Sequence, residues 1–472
     1  MIDGLRPYPE MSPTGLPWLA ELPTAWEVHR AKYSFREVDD RSEEGGEELL
    51  SVSHKTGVTP RSQKNITMFM AESYEGHKVC RPGDVVVNTM WAWMAAIGVS
   101  RHVGIVSPAY GIYRPRTTNQ FEPKYLDYLL RTEVYRAEYV RSSRGITTSR
   151  LRLYPPDFLN IPFVQPPLDE QRLIVRFLDW HGAQTAKLIR AKKKLIALLD
   201  DQKQAIVHRA VTRGFDPSVK LKPSSIHWLG DVPEGWEVIP FKRCIGFQEG
   251  PGIMALDFRD VGIPLLRIAG LHGDEATLRG CNFLDPDMVD KRWPHFRVQE
   301  GDYLLSSSAS TGKICLATKV VEGAIPYTGI IRLWPISSNV SMPFLKYLIS
   351  ARPFQDQLDA AKSGVAIEHF GPTHLKRILI CLPSRSEQDV LAQHIAETTV
   401  RFDIAATAVE REIALLQEFR ALLIADVVTG KLDVRAATAS LPEITEAEPI
   451  DEIAADDLEE EVGDNENEEV AA

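Results

Sequence analysis

The residues best suited to chemistry crowd into one short stretch. "RSSRGITTSRLR", Arg141 to Arg152, sets Arg141, Arg144, Arg150 and Arg152 among hydroxyls that include Thr147 and Thr148, around Gly145. Arginine forks onto phosphate oxygens or guanine edges, hydroxyls and backbone amides take phosphate oxygens, and glycine permits close approach. This is binding chemistry; the alternative from this stretch alone is a solvated basic loop. Two further loops carry similar donors: Lys55, Arg61 and Lys64 within "SVSHKTGVTPRSQKN" (51–65), and Ser308, Ser310 and Lys313 within "SSSASTGK" (306–313).

Catalytic patterns fail on spacing. "STGKI", Ser310 to Ile314, ends like a phosphate loop, but Ile314 stands where Ser or Thr is needed and Ser307 where the first Gly belongs. "GPGIMA" from Gly250 matches a dinucleotide fingerprint in letters only, with no strong strand pattern before it and no clear helix pattern after it. No H-E-x-x-H or G-x-S-x-G occurs, and Asn88-Thr89-Met90-Trp91 resembles only superficially the tetrapeptide that amino-methyltransferases hold against a flipped base. The five cysteines are widely spaced with no C-x-x-C, so buried or incidental thiols are expected rather than disulfides or a metal site. We expect no catalytic residue, no metal and no cofactor bound by this chain.

Charge is consistent with a polyanionic partner. The net charge of −11 is concentrated at the end: 443–469 holds fourteen Asp and Glu, and no Lys or Arg follows Arg435. Residues 1–439 carry 54 basic and 51 acidic side chains. The acidic block reads as a solvated, disordered tail. No apolar run approaches the ~18 residues of a membrane span, and "MIDGLRPYPEM" lacks the basic-then-apolar order of a signal peptide. A cytoplasmic protein is expected.

The elements that position these loops are duplicated. "PWLAELPTAWEV" (17–28) returns as "HWLGDVPEGWEV" (227–238), so Trp18 and Trp26 align with Trp228 and Trp236. "PGDVVVN" aligns with "EGDYLLS", "SPAYGIYR" with "IPYTGIIR", Glu170-Gln171 with Glu387-Gln388, and "LLDDQKQAIVHRAVT" with "LLQEFRALLIADVVT", all 210 to 219 positions apart and in the same order. A tandem repeat follows. The second copy's counterpart of the arginine loop, "AAKSGVAIEHF", offers Lys362, Ser363 and His369 instead; if both loops touch nucleic acid, they read different sequences.

Each copy begins with short strands broken by Gly and Pro and ends in a long helix. The first helix gives an apolar row at Ile174, Leu178, His181, Thr185, Leu188, Lys192, Leu195, Leu199, Gln202 and Ile206. The second gives Leu391, Ile395, Phe402, Ala405, Val409, Leu416, Phe419 and Leu423. Asp169 and Ser386 are the expected N-caps. Such helices bury their stripes most simply on each other, so we expect an α+β fold: two tandem mixed target-binding domains joined by two long antiparallel, coiled-coil-like helices, as a pseudo-two-fold repeat. The expected boundaries are 8–168 for the first domain, 169–213 for its helix and 214–225 for a linker. The second domain takes 226–383, its helix 384–430 and the tail 431–472. The tryptophans, with Leu199 and Leu416, are assigned structural roles.

In their order and spacing, these paired phrases, Gly-Asp strands, Glu-Gln helix starts and "AVTRG"/"VVTGK" helix ends resemble the specificity (S) subunits of Type I restriction-modification systems over about residues 8–435. That resemblance implies a non-catalytic subunit whose two target-recognition domains each read one half of a bipartite, asymmetric double-stranded DNA site. It also implies two modification subunits, which carry S-adenosylmethionine and methylate adenine, and restriction subunits that use ATP and Mg. Competing readings are a free-standing two-headed DNA-binding regulator and an adaptor whose heads bind protein.

Overall fold

In the computed structural model, residues 4–63, 73–147, 150–224, 226, 229–308, 312–362 and 370–442 are described. The chain divides into two compact units, Met1–Lys193 with Arg411–Ala472, and Lys194–Glu410. Each contains one mixed head and parts of two long helices.

In the first head a hairpin of Met11–Leu16 with Leu19–Pro23 leads into β1 (Glu27–Arg30), and the chain continues through β2 (Phe35–Glu37), β3 (Val85–Val87), β4 (Ile97–Val99) and β5 (Gly111–Pro115) to β6 (Pro162–Gln165). Strands β2 to β5 form one antiparallel sheet in the order β2-β5-β3-β4, and β6 pairs back on β1. The "VVV" of β3 is wholly buried, with Val85 and Val87 in one apolar cluster and Val86 in another. A continuous apolar run is what a strand covered on both faces requires. Two helices follow the sheet, α1 (Pro123–Leu130) and α2 (Glu133–Ser142). Thr132 caps α2 by accepting from the Tyr135 amide. Past β6 the chain enters α3 (Leu168–Arg213), 46 residues and ~70 Å long.

The second head repeats this plan. Strand β7 (Glu237–Pro240) pairs with β12 (Leu379–Leu382), while β8 (Ile245–Glu249), β9 (Tyr303–Ser306), β10 (Ile314–Leu316) and β11 (Ile330–Pro335) form a sheet ordered β8-β11-β9-β10. Leu304 again faces a different cluster from Tyr303 and Leu305. Helices α4 (Met342–Ser350) and α5 (Arg352–Lys362) precede α6 (Arg385–Val428), 44 residues long. The heads differ in their insertions. The first adds a hairpin, Leu50–Ser53 with Gly57–Pro60; the second adds a four-stranded sheet built from Phe258–Arg259, Asn282–Leu284, Ile263–Leu266 and Ile325–Pro326. The architecture is therefore α+β, with two mixed heads joined by a pair of long helices.

Several repeated residues make the same contact in both copies. Gln171 and Gln388 are fully buried at the starts of α3 and α6. The Gln171 side chain donates to Pro166 O and accepts from the Glu122 amide; that of Gln388 donates to Pro383 O and accepts from the Ser341 amide. Each amide thus ties the start of its long helix to the start of an earlier helix, α1 in the first copy and α4 in the second. At the other ends, Gly214 and Gly430 have φ of +71° and +75°, the left-handed conformation that closes a helix. Trp236 packs on Gly214, and Trp26 with Pro23 on Gly430. The repeated tryptophan phrase is a lid over a helix terminus.

Within each unit the two long helices run antiparallel. Lys192 pairs with Glu412 and Gly182 lies beside Arg420 in the first unit; Lys203 pairs with Asp403 at 2.6 Å in the second. The shielded row of α3 is Leu178, Gly182, Thr185, Ile189, Lys192, Ile196, Leu199, Lys203 and Ile206, alternating steps of four and three. On α6 it runs through Ile395, Thr399, Phe402, Ala406, Val409, Ile413, Leu416, Arg420 and Leu423. This corrects the sequence-derived rows at alternate positions. Leu188, Leu195 and Phe419 point to solvent at 46, 44 and 50% exposure, His181 and Gln202 yield to their C-terminal neighbours, and Ala405 and Ala406 are both half-buried.

Two further expectations need correction. Helix α3 already includes Asp169, with the Pro167 carbonyl receiving the amides of Glu170 and Gln171, and α6 already includes Ser386, with Ser384 Oγ receiving the Glu387 amide. Neither expected residue is the cap. The tail also does not begin at 431. Val434 and Ala437 are buried in the first head's core, and the Asp433 amide donates to Arg6 O. Residues 443–472 lie outside the described ones.

Candidate nucleic-acid interface

The arginine stretch folds as a closed loop at the end of α2. Arg144 and Arg152 exchange backbone hydrogen bonds at 2.9 Å in both directions, and the Arg150 amide donates to Thr147 O. A Cβ on Gly145 would lie 2.5 Å from Arg150 O, so the close crossing requires glycine. The tip presents Ile146, Thr147 and Arg150 to solvent, while Arg152 is half-buried. Thr148 lies outside the described residues.

The four arginines are not equivalent. Arg141 forks onto Glu138, a carboxylate only 2% exposed, and Arg144 donates to Asp157 at 2.8 Å. Hydrogen bonds to these carboxylates raise the pKa of both guanidinium groups above the ordinary arginine value. Both side chains nevertheless remain about 70% exposed, with N–H groups to spare. Arg150 has no side-chain partner among the described residues. It is therefore the cation of the loop most available to a ligand.

A second loop is tied to this one. The amide of Leu153, just past the arginine stretch, donates to Thr89 O in the segment after β3. There Trp91 and Trp93 stack at 6.0 Å, both half-buried, with Trp93 Nε1 donating to Met90 O. The sequence marked this segment only as a failed catalytic motif. Its informative signal is the W-A-W pattern, which places two aromatic rings beside a basic loop.

The second head builds the same junction from different residues. The Phe370 amide donates to Ser307 O, the counterpart of the Leu153–Thr89 bond. Lys313 is exposed, and its carbonyl receives the Ser306 amide. Ser308 is half-buried; its carbonyl accepts from Ser306 Oγ at 2.9 Å. Lys362 closes α5, whereas Ser310, Ser363 and His369 lie outside the described residues. Beyond the candidates, Arg267 stands over the Tyr327 ring at 4.1 Å, a pairing that nothing in their sequence spacing announces.

Other candidates are placed elsewhere. Lys55 lies in the turn of the first head's inserted hairpin, and its carbonyl accepts from Arg131 at the end of α1, so this hairpin is seated on α1. Arg61 begins the short 3-10 turn that follows, its amide held by Leu49 O. Lys64 lies outside the described residues. Among the structural candidates, Trp26 and Trp236 are buried and Leu199 and Leu416 are half-buried. Trp18 packs edge-on against Tyr135 at 5.4 Å. Trp228 is outside the described residues. Among the described residues no group of three His, Cys, Asp or Glu could hold a metal ion, and no helix is long and apolar enough to cross a membrane.

No family model matches the chain. Over 282 residues, 59% of this chain and 64% of the relative, it is 25% identical to the Type I restriction enzyme MjaVIII specificity subunit of Methanocaldococcus jannaschii. The chain is related to Type I restriction enzyme specificity subunits. The EcoBI specificity subunit of Escherichia coli is a second such relative, 22% identical over 275 residues, 57% of each chain. The chain thus matches less than two thirds of the length of either relative. A chain solved in work on complex assembly and conformational transition of the type I R-M system shares the fold at a TM-score of 0.59 and 17% identity, covering 87% of this chain and 99% of that one. This relationship gives the duplicated loops their context.

Proposed function

We propose that this chain is the DNA-reading subunit of a Type I restriction-modification complex in the cytoplasm, binding a bipartite, asymmetric double-stranded site with one head on each half. The observation that carries this reading is the shared junction. Both heads tie the loop after a central strand to the loop before the exit strand by the same backbone bond, then place different side chains there. Arg150, Arg144 and Arg141 are suited to guanine edges and phosphates, and the serines and Lys313 to other donors and acceptors. Two heads with unlike loops read unlike half-sites.

In this reading the chain performs no chemistry. It directs two modification subunits, holding S-adenosylmethionine, and restriction subunits, using ATP and Mg, to the site. A solvent-facing apolar stripe on α6, including Leu415, Phe419 and Leu422 at 50 to 63% exposure, supports a protein partner on that helix.

The helix length between the heads sets the unread gap. Shortening must preserve the 3.5-residue row, so residues 193–199 and 405–411 are removed together, chosen because Lys192 faces Glu412 and Lys203 faces Asp403. Seven residues span ~10 Å, about three base pairs. Methylated-adenine sequencing of DNA from cells that coexpress the chain with modification subunits is expected to return a two-part motif with an unread gap. The shortened chain should return the same half-sites with a smaller gap. A continuous motif, or sequence-specific DNA binding without a copurifying methyltransferase, overturns the reading.

A further inference from the structure

The solvent faces of the two long helices differ in a way that the repeat makes informative. On α3, Lys187, Arg190 and Lys194 stand at i, i+3 and i+7, on the face turned away from the shielded row of Thr185, Ile189, Lys192 and Ile196, with Lys193 at its flank. All four are exposed, and none makes an ion pair among the described residues. The nearest acid on the preceding turns, Asp179, is engaged by Lys124 and Tyr128; Asp200 and Asp201 come only after the basic face ends. The equivalent positions on α6 are Ile404, Thr407, Arg411 and Glu410. The same helix, with the same kind of row and the same end contacts, therefore exists in the second copy without this charge. The basic face is not needed to build the scaffold.

Building on the reading above, we propose that Lys187, Arg190, Lys193 and Lys194 form a sequence-independent phosphate-binding face that holds the unread duplex between the two half-sites. Duplex DNA presents one negative charge per ~1.7 Å along its axis, and Lys187 to Lys194 covers ~10 Å of helix, enough for several phosphates along one stretch of backbone. Long side chains with no internal partner can follow a phosphate row without demanding a base sequence. The face supplies affinity and register, and specificity stays with the heads.

The test compares the full chain, with its modification subunits, against K187Q/R190Q/K194Q. Glutamine keeps helix propensity and removes charge. Binding is measured over a salt series on a duplex carrying the methylated motif and on a random duplex. The triple variant should flatten the slope of log affinity against log salt by about 2 to 3, near 0.9 per lost phosphate contact, to the same extent on both duplexes and whatever the spacer sequence, with the methylated motif unchanged. Lys203→Gln, which removes a cation paired to Asp403 on the shielded side, should leave the slope as it was. An unchanged slope in the triple variant, with the parent still binding its motif specifically, overturns this proposal alone. So does loss of the copurifying subunits at an unchanged slope, since the face would then be a protein contact. A parent with no sequence-specific binding removes the function proposed above and this face with it.

Discussion

The two heads use the same pair of repeated motifs to make ion pairs of unlike quality. In the first, Arg114 meets Asp84 side-on, Nε to Oδ1 and Nη2 to Oδ2 both at 2.8 Å, with Asp84 1% exposed. In the second, Arg332 Nε stands 3.5 Å from Asp302 Oδ2, too long for a good hydrogen bond, while Arg332 donates to Arg297 O and lies over Trp334. Hydrogen bonding to Asp84 holds Arg114 above its ordinary pKa, whereas burial lowers that of Arg332 and raises that of Asp302. One fold therefore tolerates a tight pair and a loose one at equivalent positions. The Gln171 and Gln388 contacts, by contrast, match atom for atom. What is held constant between the copies is the anchoring of the long helices; the inside of each head has drifted with the loops it supports.

The largest expected effect tests the constant part. Replacing Gln171 or Gln388 by Ala leaves a buried amide donor and a buried carbonyl without partners, about 3 kcal/mol in each copy. Denaturant unfolding of the two variants should show similar losses, each confined to the transition of its own unit. Losses differing more than twofold would break the equivalence of the two anchors.

The ion pairs come next, and here the copies should diverge. Asp84→Asn strips a buried partner from Arg114, which is itself one-fifth exposed, so a loss of about 2 kcal/mol is expected, below the value for a fully buried pair. Asp302→Asn should cost less than about 1 kcal/mol at neutral pH. The sign of the pH dependence separates them further. Because the folded-state pKa of Asp302 is raised, its favourable contribution is full below the ordinary aspartate range and is lost as pH rises through the raised value. Acidifying the parent should therefore stabilise the second unit through this group, and Asp302→Asn should abolish that gain. The same pH profile in parent and variant would show that Asp302 does not titrate in the way its burial requires.

Thiol reactivity gives a finer contrast among buried groups. Burial pushes Cys80 and Cys244 up to about 11 and Cys381 to about 12, and raises Cys315. Cys281 is half-buried. Since thiolate is the reactive form, an alkylating reagent at pH 8 is expected to label one site, Cys281, in the folded chain. Mass spectrometry showing Cys80 labelled at a comparable rate would mean that the first head opens more readily than its packing indicates.

The architecture was legible because duplication wrote it twice. A Glu-Gln pair or a Trp-x-x-x-x-Pro phrase says little alone, but its return at a fixed offset marks a contact the fold must make. The roles of the individual letters were less legible. The apolar row on α3 slipped at alternate steps because leucines lie on both faces: Leu188 and Leu195 look like core residues by type, and only the partner helix shows that Ile189 and Ile196 are the shielded ones. Caps were misplaced because Pro167 and Ser384, just upstream, already satisfy the first amides. Among the binding candidates, the loop with Arg141 to Arg152 was found by composition. Its junction with Trp91 and Trp93 could not be, because it depends on a backbone bond to Thr89, more than sixty residues away in sequence.

The smallest effect on energy falls where the heads differ most. The Arg150 side chain has no partner among the described residues, so Arg150→Ala should leave the stability of the first unit unchanged and weaken binding to the motif by about 1 kcal/mol, roughly fivefold, with relaxed preference at a position of one half-site only. Lys313→Ala should act the same way on the other half-site, or as a sequence-independent loss if it meets phosphate rather than a base edge. Adenine-methylation sequencing and competition binding on single-base variants distinguish these outcomes. If Arg150→Ala relaxes both half-sites equally, the two junctions share one reading surface, and the division of labour inferred from their unlike loops is wrong.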